Sequence, residues 1–368
     1  MLSNLTVWLK LLLAVLLSAA VSFFMTPPVK KFAEKVGAID VPKDGRRVHD
    51  HPIPRMGGLA IFLGFVLAVL AFVDMSTPIM GMLIGAVIIA AMGAVDDIVS
   101  LNAWVKLGIQ ILAALVAIRS GIVFDVISNP LVFSDKAFIP IGYLTVPLTV
   151  LWIVGCTNAV NLIDGLDGLA VGVSAISSLT MLVVALFVSE PNVALILAAL
   201  TGACLGFIPY NLNPAKIFMG DVGSQLLGFI LATVSIMGMF KFHAIITFLV
   251  PVLAMSVPLA DTVFAFFRRI VHGQSPFHAD KGHFHHRLLA MGLSQKQAVA
   301  VLYAISAILG LLAVLLAGTY TAVRIVCLVL VFLISIGVWF FVFRKRPGSK
   351  NPNSPACSTP EAGTGEKA

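Results

Sequence analysis

The stretch Asn158–Ala170, NAVNLIDGLDGLA, sets two asparagines and two aspartates into a chain that is 59% hydrophobic and only 11% charged. Asp164 and Asp167 are three residues apart, so on a helix they would share a face. Gly165 and Gly168 point instead to a tight turn into an apolar segment, where free backbone N–H groups can meet an anion. Either geometry aims both carboxylates at one volume, for catalytic work; the plainer alternative is that one of them caps the following helix. Asp96 and Asp97 are adjacent and repel each other, which is best tolerated beside a cation. A hard cation such as Mg²⁺ takes one or two carboxylates and completes its shell with phosphate oxygens and water. Lys106 follows within a turn or two of the next apolar segment, as a phosphate partner or as a mark of the membrane interface. Asp221 lies between Gly220 and Gly223 in FMGDVGS, at the start of another apolar run.

Two basic segments complete the set. Residues 267–296 carry His278, His283, His285 and His286 among Arg268, Arg269, Lys281 and Arg287. Zinc sites recruit a defined set of three or four ligands, and imidazoles surrounded by guanidinium groups suit a phosphate better. A solvated basic loop is the remaining reading. Residues 27–55 contain Arg46 and Arg55 in PKDGRRVHDHPIPRMGG, which serves as a topology signal and can also hold the phosphate of a lipid at the interface.

The elements that must position these residues are membrane helices. A span needs roughly 20 apolar residues, and such runs lie near 6–26, 56–74, 78–95, 104–120, 144–160, 168–189, 192–210, 223–240, 244–266, 297–318 and 321–343. The expectation is an all-α polytopic integral membrane protein of about eleven transmembrane helices. If the spans alternate, nineteen of the 24 Lys and Arg fall on or beside one set of linkers. By the positive-inside rule that set is cytoplasmic, and the N-terminus is outside. Every aspartate named above, with Asp261 and Asp280, falls on that face, so a cytoplasmic active site follows. The net charge of +7 is then a membrane signal and calls for no nucleic acid. The first segment has only Lys10 before its apolar core, unlike a signal peptide, and is read as a retained helix. Residues 121–143 are β-branched and aromatic around Asn129-Pro130 and Ser134-Asp135, which predicts a short outer β-hairpin. Residues 1–346 form one domain, and the Pro/Gly/Ser/Thr-rich tail 347–368 is disordered. Cys156, Cys204, Cys327 and Cys357 show no metal-type spacing.

In order along the chain, PIPRMGG, VDDIVSLNAWVKLGIQ, NAVNLIDGLDGLA, FMGDVGS and RRIVHGQSPFHADKGHFHHRLLAMGLS resemble the bacterial polyprenyl-phosphate N-acetylhexosamine-1-phosphate transferases, over about residues 20–345. The resemblance implies transfer of a sugar 1-phosphate from a UDP-N-acetylhexosamine donor to undecaprenyl phosphate, with release of UMP, on the cytoplasmic face of the plasma membrane. It also implies Mg²⁺, for which Mn²⁺ could substitute. Asp221 matches the family's metal ligand. Asp96 and Asp97 match its aspartate pair, which has been given both a base role and a role near the metal. Asn161, Asp164 and Asp167 match nucleoside and catalytic contacts, and His283, His285 and His286 the loop that meets the sugar nucleotide. The pattern SPFHADKGHFHH is similar to the branch that uses UDP-GlcNAc to start teichoic-acid linkage units, O-antigen or related glycans. Lys281 stands where that branch often has arginine. The alternatives are the sister phospho-MurNAc-pentapeptide transferase and, in another class, an ion-coupled transporter. Against transport, the acids lie at one face and no inverted repeat is evident; against a nucleotide-driven pump, no Gly-Lys-Ser/Thr phosphate loop occurs. A homodimer is compatible with the sequence and not required by it.

Overall fold

The computed structural model describes residues 5–41, 51–124, 126–128, 138–140, 142–238, 244–271, 283–317 and 321–343. The helices are α1 (Leu5–Val36), α2 (Gly58–Phe72), α3 (Thr77–Val99), α4 (Ala103–Arg119), α5 (Thr145–Leu162), α6 (Leu169–Val188) and α7 (Pro191–Asn211). They continue as α8 (Gly220–Gly238), α9 (Ala244–Ala254), α10 (Ser256–Val271), α11 (Phe284–Ala290), α12 (Gln295–Ala317) and α13 (Thr321–Phe343). Among the described residues, seven helices are long and apolar enough to cross a membrane: α1, α3, α5 with the turn before it, α6, α7, α8 and α12. The all-α polytopic class therefore holds. Helix α2, at 15 residues, rises only about 22 Å at 1.5 Å per residue, against a hydrocarbon core of about 30 Å.

Two expected boundaries move. The run at 6–26 continues as helix through Pro27 and Pro28 to Val36, so the first part of the basic linker is a polar extension of α1. The run at 244–266 is two helices, with a turn at Met255 between α9 and α10. Pro251 and Pro258 flank that turn. Helix α9 runs on past Pro251 to Ala254, whereas Pro258 has no N–H to offer the Ala254 carbonyl, which accepts the Ser177 hydroxyl instead (2.6 Å).

Helix α8 sits at the centre: 89% of its apolar window is buried, against 22% for α1. Helices α3 and α5 pack along it, α1 packs on α7 and α2, and α6 lies between α7 and α12. Small residues allow the closest crossings. A Cβ added to Gly58 would lie 2.1 Å from the Gly223 backbone nitrogen, so the starts of α2 and α8 touch backbone to backbone, as small-residue helix contacts in membranes do. Strands β1 (Ile39–Asp40) and β2 (Ile53–Pro54) pair antiparallel. Beyond β2 the chain runs beside residues 217–219. Phe218 N–H donates to Pro54 O (2.8 Å), and the Gly57 and Gly58 N–H groups donate to Phe218 O (2.9 Å) and Met219 O (2.8 Å). Strands β3 (Val126–Ser128) and β4 (Phe138–Pro140) also pair antiparallel; the turn between them lies outside the described residues.

Candidate active site

Four helix ends meet at the site: the C-termini of α3 and α5 and the N-termini of α4 and α8. Asp96 and Asp97 occupy the last turn of α3 and are both buried. Asp97 turns to α8, where its oxygens accept the backbone N–H groups of Asp221 (3.0 Å) and Val222 (3.3 Å). A carboxylate is favoured at this positive end of a helix dipole. Gly220 makes the approach feasible: its φ is 72°, and a Cβ there would lie 2.2 Å from Asp97 Oδ2. Arg55, just past β2, closes the other side of Asp97 at 3.1 Å and reaches Asp221 at 3.8 Å. Its guanidinium pKa is raised: burial alone would lower it, and Asp97 and Asp221 more than offset that.

Lys106 supplies the second cation. Its Nζ donates to Asp96 Oδ2 (2.7 Å) and to Asp221 Oδ2 (2.9 Å), while Asp96 Oδ1 accepts the Leu101 N–H (2.6 Å). The sequence left Lys106 open between phosphate partner and interface marker; the fold sets it between two carboxylates 10 and 115 residues away. Asn161, at the end of α5, donates to Asp221 Oδ1 (3.1 Å) and Ser224 Oγ (2.8 Å). Asp221 is thus the residue on which α4, α5, the Arg55 segment and α8 converge.

Behind it, a chain of carboxamides runs along the helices. Asn158 Nδ2 donates to Gln110 Oε1 (2.7 Å), Gln110 Nε2 to Gln225 Oε1 (2.8 Å), and Gln225 Nε2 to Asp221 Oδ2 (3.1 Å). Each member has used its opposite end, so the amide orientations are fixed and Gln225 must present a donor to Asp221. Sequence reasoning did not assign Gln110, Asn158 or Gln225. The signal was available, since Gln110 is four residues after Lys106, Gln225 four after Asp221, and Asn158 three before Asn161, all in apolar helices.

In front of Asp221 opens a cleft of about 410 Å³ whose lining includes Arg55, Asn161, Asp164, Gly165, Asp167, Asn211, Phe218, His286 and Gln295. The turn 163–168 forms one wall. Gly168, with φ 79°, is the N-cap of α6, and no side chain caps that helix, so neither aspartate serves as its cap. Asp167 Oδ2 accepts from Asn213 Nδ2 (2.9 Å) and the Ala215 N–H (3.1 Å), and Asn213 also donates to Gln295 Oε1 (2.7 Å). Asp167 thus lines the cleft while tying its wall to α12 through Asn213, and Asp164 lines it with Asp221. Burial, then the charge of Asp221, push the Asp164 carboxyl up to about 7, against the opposing pull of Arg55.

Helix α11 brings the histidines. His286 lines the cleft, and His283 and His285 are buried. Burial and the neighbouring His286 push the His285 imidazole down to about 4, so it is neutral at physiological pH. Among the described residues no group of three or more His, Cys, Asp and Glu is arranged to hold a metal. Arg268 and Arg269 end α10 and are not among the residues lining the cleft. Arg46, His278, Asp280 and Lys281 lie outside the described residues.

The arrangement suits a phosphate-bearing ligand: Arg55 and Asn161 line the cleft, and Lys106 stands behind Asp221. A family model described as Glycosyl transferase family 4 matches residues 79–239. The chain is 40% identical over 328 residues to the probable undecaprenyl-phosphate N-acetylglucosaminyl 1-phosphate transferase of Bacillus subtilis, covering 88% of this chain and 90% of the relative. It is 36% identical over 327 residues to the decaprenyl-phosphate N-acetylglucosaminephosphotransferase of Mycobacterium tuberculosis, covering 80% and 79%. A phospho-N-acetylmuramoyl-pentapeptide-transferase of Staphylococcus aureus matches at 36% over a shorter stretch of 277 residues, covering 70% and 83%.

Proposed function

This chain belongs to glycosyl transferase family 4, and from that premise we propose that it transfers GlcNAc 1-phosphate from UDP-GlcNAc to undecaprenyl phosphate. The products are undecaprenyl-pyrophosphoryl-GlcNAc and UMP, and the reaction opens the synthesis of a cell-envelope glycan such as a teichoic acid or an O-antigen. The donor assignment is supported by the GlcNAc-1-phosphate transferases, which match more of the chain than the pentapeptide transferase does. The observation that carries the reading is Asp221, held by Lys106, Asn161 and Arg55 at the head of a cleft that Asp164 and His286 also line.

The reaction joins two anions. An oxygen of the lipid phosphate attacks the β-phosphorus of the donor, the bond from that phosphorus to the bridging oxygen breaks, and UMP leaves with the bonding electron pair. The lipid phosphate is largely ionised at neutral pH, since the second pKa of a phosphate monoester is about 6. Orientation therefore matters more than deprotonation by Asp96 or Asp97. The attack is direct, with no phospho-aspartate. Arg55 and Lys106 offset negative charge as the two phosphates approach. Asp97, which spends its oxygens on Arg55 and on α8, holds the Asp221 turn in place.

The donor set fits Mg²⁺, with Mn²⁺ as a substitute. Asp221 and Asp164 are hard oxygen ligands on one cleft, and Mg²⁺ takes its remaining ligands from phosphates and water rather than from an all-protein cage. Asp221 would hold it, and Asp164, which lines the same cleft, could share it; Asp97 could do so only by giving up Arg55 or the α8 amides. Bound there, the ion would neutralise the donor diphosphate and polarise it for displacement.

Eleven spans, an outside N-terminus and a cytoplasmic site complete the proposal, with residues 1–346 as the transferase unit and the bilayer delivering the acceptor. UMP release by the purified protein with undecaprenyl phosphate, Mg²⁺ and a panel of UDP-sugars tests it. Lipid-dependent UMP from UDP-GlcNAc, lost in Asp221→Asn, is the expected result. UMP only from UDP-MurNAc-pentapeptide would move the chain to the sister activity, and labelled phospho-enzyme formed without lipid would refute direct attack.

A further inference from the structure

Helix α10 carries a carboxylate that the reaction above does not use. Its buried stripe is Val257, Pro258, Asp261, Ala265 and Arg269, while Phe264, Phe266 and Phe267 face outward. Asp261 is 2% exposed. Burying a carboxylate on a helix this apolar is costly unless its lone pairs are satisfied, and both oxygens are spent on one short segment. Oδ2 lies 2.8 Å from His283 Nδ1, and Oδ1 accepts the Phe284 backbone N–H at 2.7 Å.

Those two bonds set the position of α11. With Nδ1 bonded to the carboxylate, the His283 ring is fixed in orientation. The His285 ring lies parallel to that of His283, within 6°, at 5.8 Å between centroids. Its Nε2 edge abuts the Asp164–Asp167 turn, where a Cβ on Gly165 would lie 2.5 Å from His285 Nε2. His286, next in the chain, lines the cleft. An unbroken series of contacts thus runs from Asp261 through His283 and His285 to the cleft wall.

We propose that Asp261 is a positioning residue for the nucleotide-sugar subsite: it holds the His283–His286 segment through His283 Nδ1 and the Phe284 amide, and so sets His285 on Gly165 and His286 at the cleft. This rests on the donor being a uridine diphosphate sugar, and it deepens that reading. The rival role is a remote cap on the short helix α11, which needs only the Phe284 bond.

The test is calorimetric binding of UDP to the full chain in detergent, beside steady-state kinetics with UDP-GlcNAc. Asp261→Asn retains an oxygen for the Phe284 N–H and loses the charged partner of His283. The expectation is a roughly tenfold weaker UDP Kd and a similar rise in KM, with kcat changed less, the low end of what losing an orienting partner behind a binding group costs. Asp261→Glu should restore part of the affinity. His283→Gln, which leaves the Phe284 bond intact, should weaken UDP binding equally, and the double variant should be no worse than either single one. Wild-type UDP affinity in Asp261→Asn or His283→Gln, or additive losses in the double variant, would overturn the proposal in favour of the capping role. If Asp261→Asn does not fold, His283→Gln alone decides on the same criterion. UDP binding is read without turnover, so a wild-type protein that binds UDP and turns over no UDP-GlcNAc would count against the donor assignment and leave the Asp261 result standing.

Discussion

Asp164 is the residue whose environment has the most direct chemical consequence. Its carboxyl, pushed up to about 7 by burial and by Asp221, stays protonated in the folded protein at pH values where the unfolded chain has already ionised. Its contribution to stability is therefore complete below about pH 4 and is lost as pH rises to about 7. At about 1.36 kcal/mol per unit, a shift of this size bounds the loss at about 4 kcal/mol. Asp164→Asn removes that slope. In chelator-treated protein its Tm advantage over the wild type should widen between pH 5 and pH 8, while with Mg²⁺ restored UMP release should fall at least about 100-fold. An unchanged Tm difference across that range would mean that Asp164 titrates normally. His285 has the opposite sign. Held near 4 by burial and by His286, it favours the fold above about pH 6.5, and that contribution of about 3 kcal/mol fades as pH falls through 4. His285→Gln should flatten the acid limb of a melting-temperature profile.

At the scale of elements, the site is four helix ends held by polar side chains one turn apart. The chain of Asn158, Gln110 and Gln225 joins α5, α4 and α8 and ends on Asp221. Gln110→Leu would leave the Gln225 oxygen and the Asn158 amide without their partner inside an apolar bundle, at a cost of about 1–2 kcal/mol. It would also free Gln225 to turn away from Asp221. A lower Tm together with a roughly tenfold lower kcat is the expected pairing; a lower Tm with wild-type kcat would make the network purely structural. Lys106→Met should be harsher, because it removes a cation bonded to both Asp96 and Asp221. Breaking a buried pair on one side costs about 3–5 kcal/mol, discounted here because Lys106 is 26% exposed.

For the whole molecule, central α8 and peripheral α1 describe a bundle whose polar residues gather at one set of helix ends. The proposed topology has a direct test in a cysteine-free background. Ser100→Cys and Lys216→Cys should react with an impermeant maleimide only when the cytoplasmic face is open, whereas Ser76→Cys and Ser189→Cys should react in intact cells. Ser100→Cys or Lys216→Cys reacting in intact cells would invert the orientation.

The sequence by itself determined the class of the molecule, because a bilayer admits long apolar helices and little else, and that preference is written in consecutive residues. It also located the acidic positions, since a carboxylate in an apolar chain is costly enough to stand out. It read 244–266 as one run and missed the division of α9 from α10, because apolar counting is blind to the backbone donor that Pro258 lacks. Which carboxylate does what was decided only by tertiary structure. Asp96 and Asp97 are identical neighbours in sequence, yet one meets Lys106 and the other meets Arg55 and the amides of α8. Asp164 and Asp167 look paired and both line the cleft, yet Asp167 is bonded to Asn213 and the Ala215 amide, while the Asp164 carboxyl is raised by burial and by Asp221. Hydrogen bonds act over about 3 Å, and the partners that divide these roles lie up to 125 residues away along the chain.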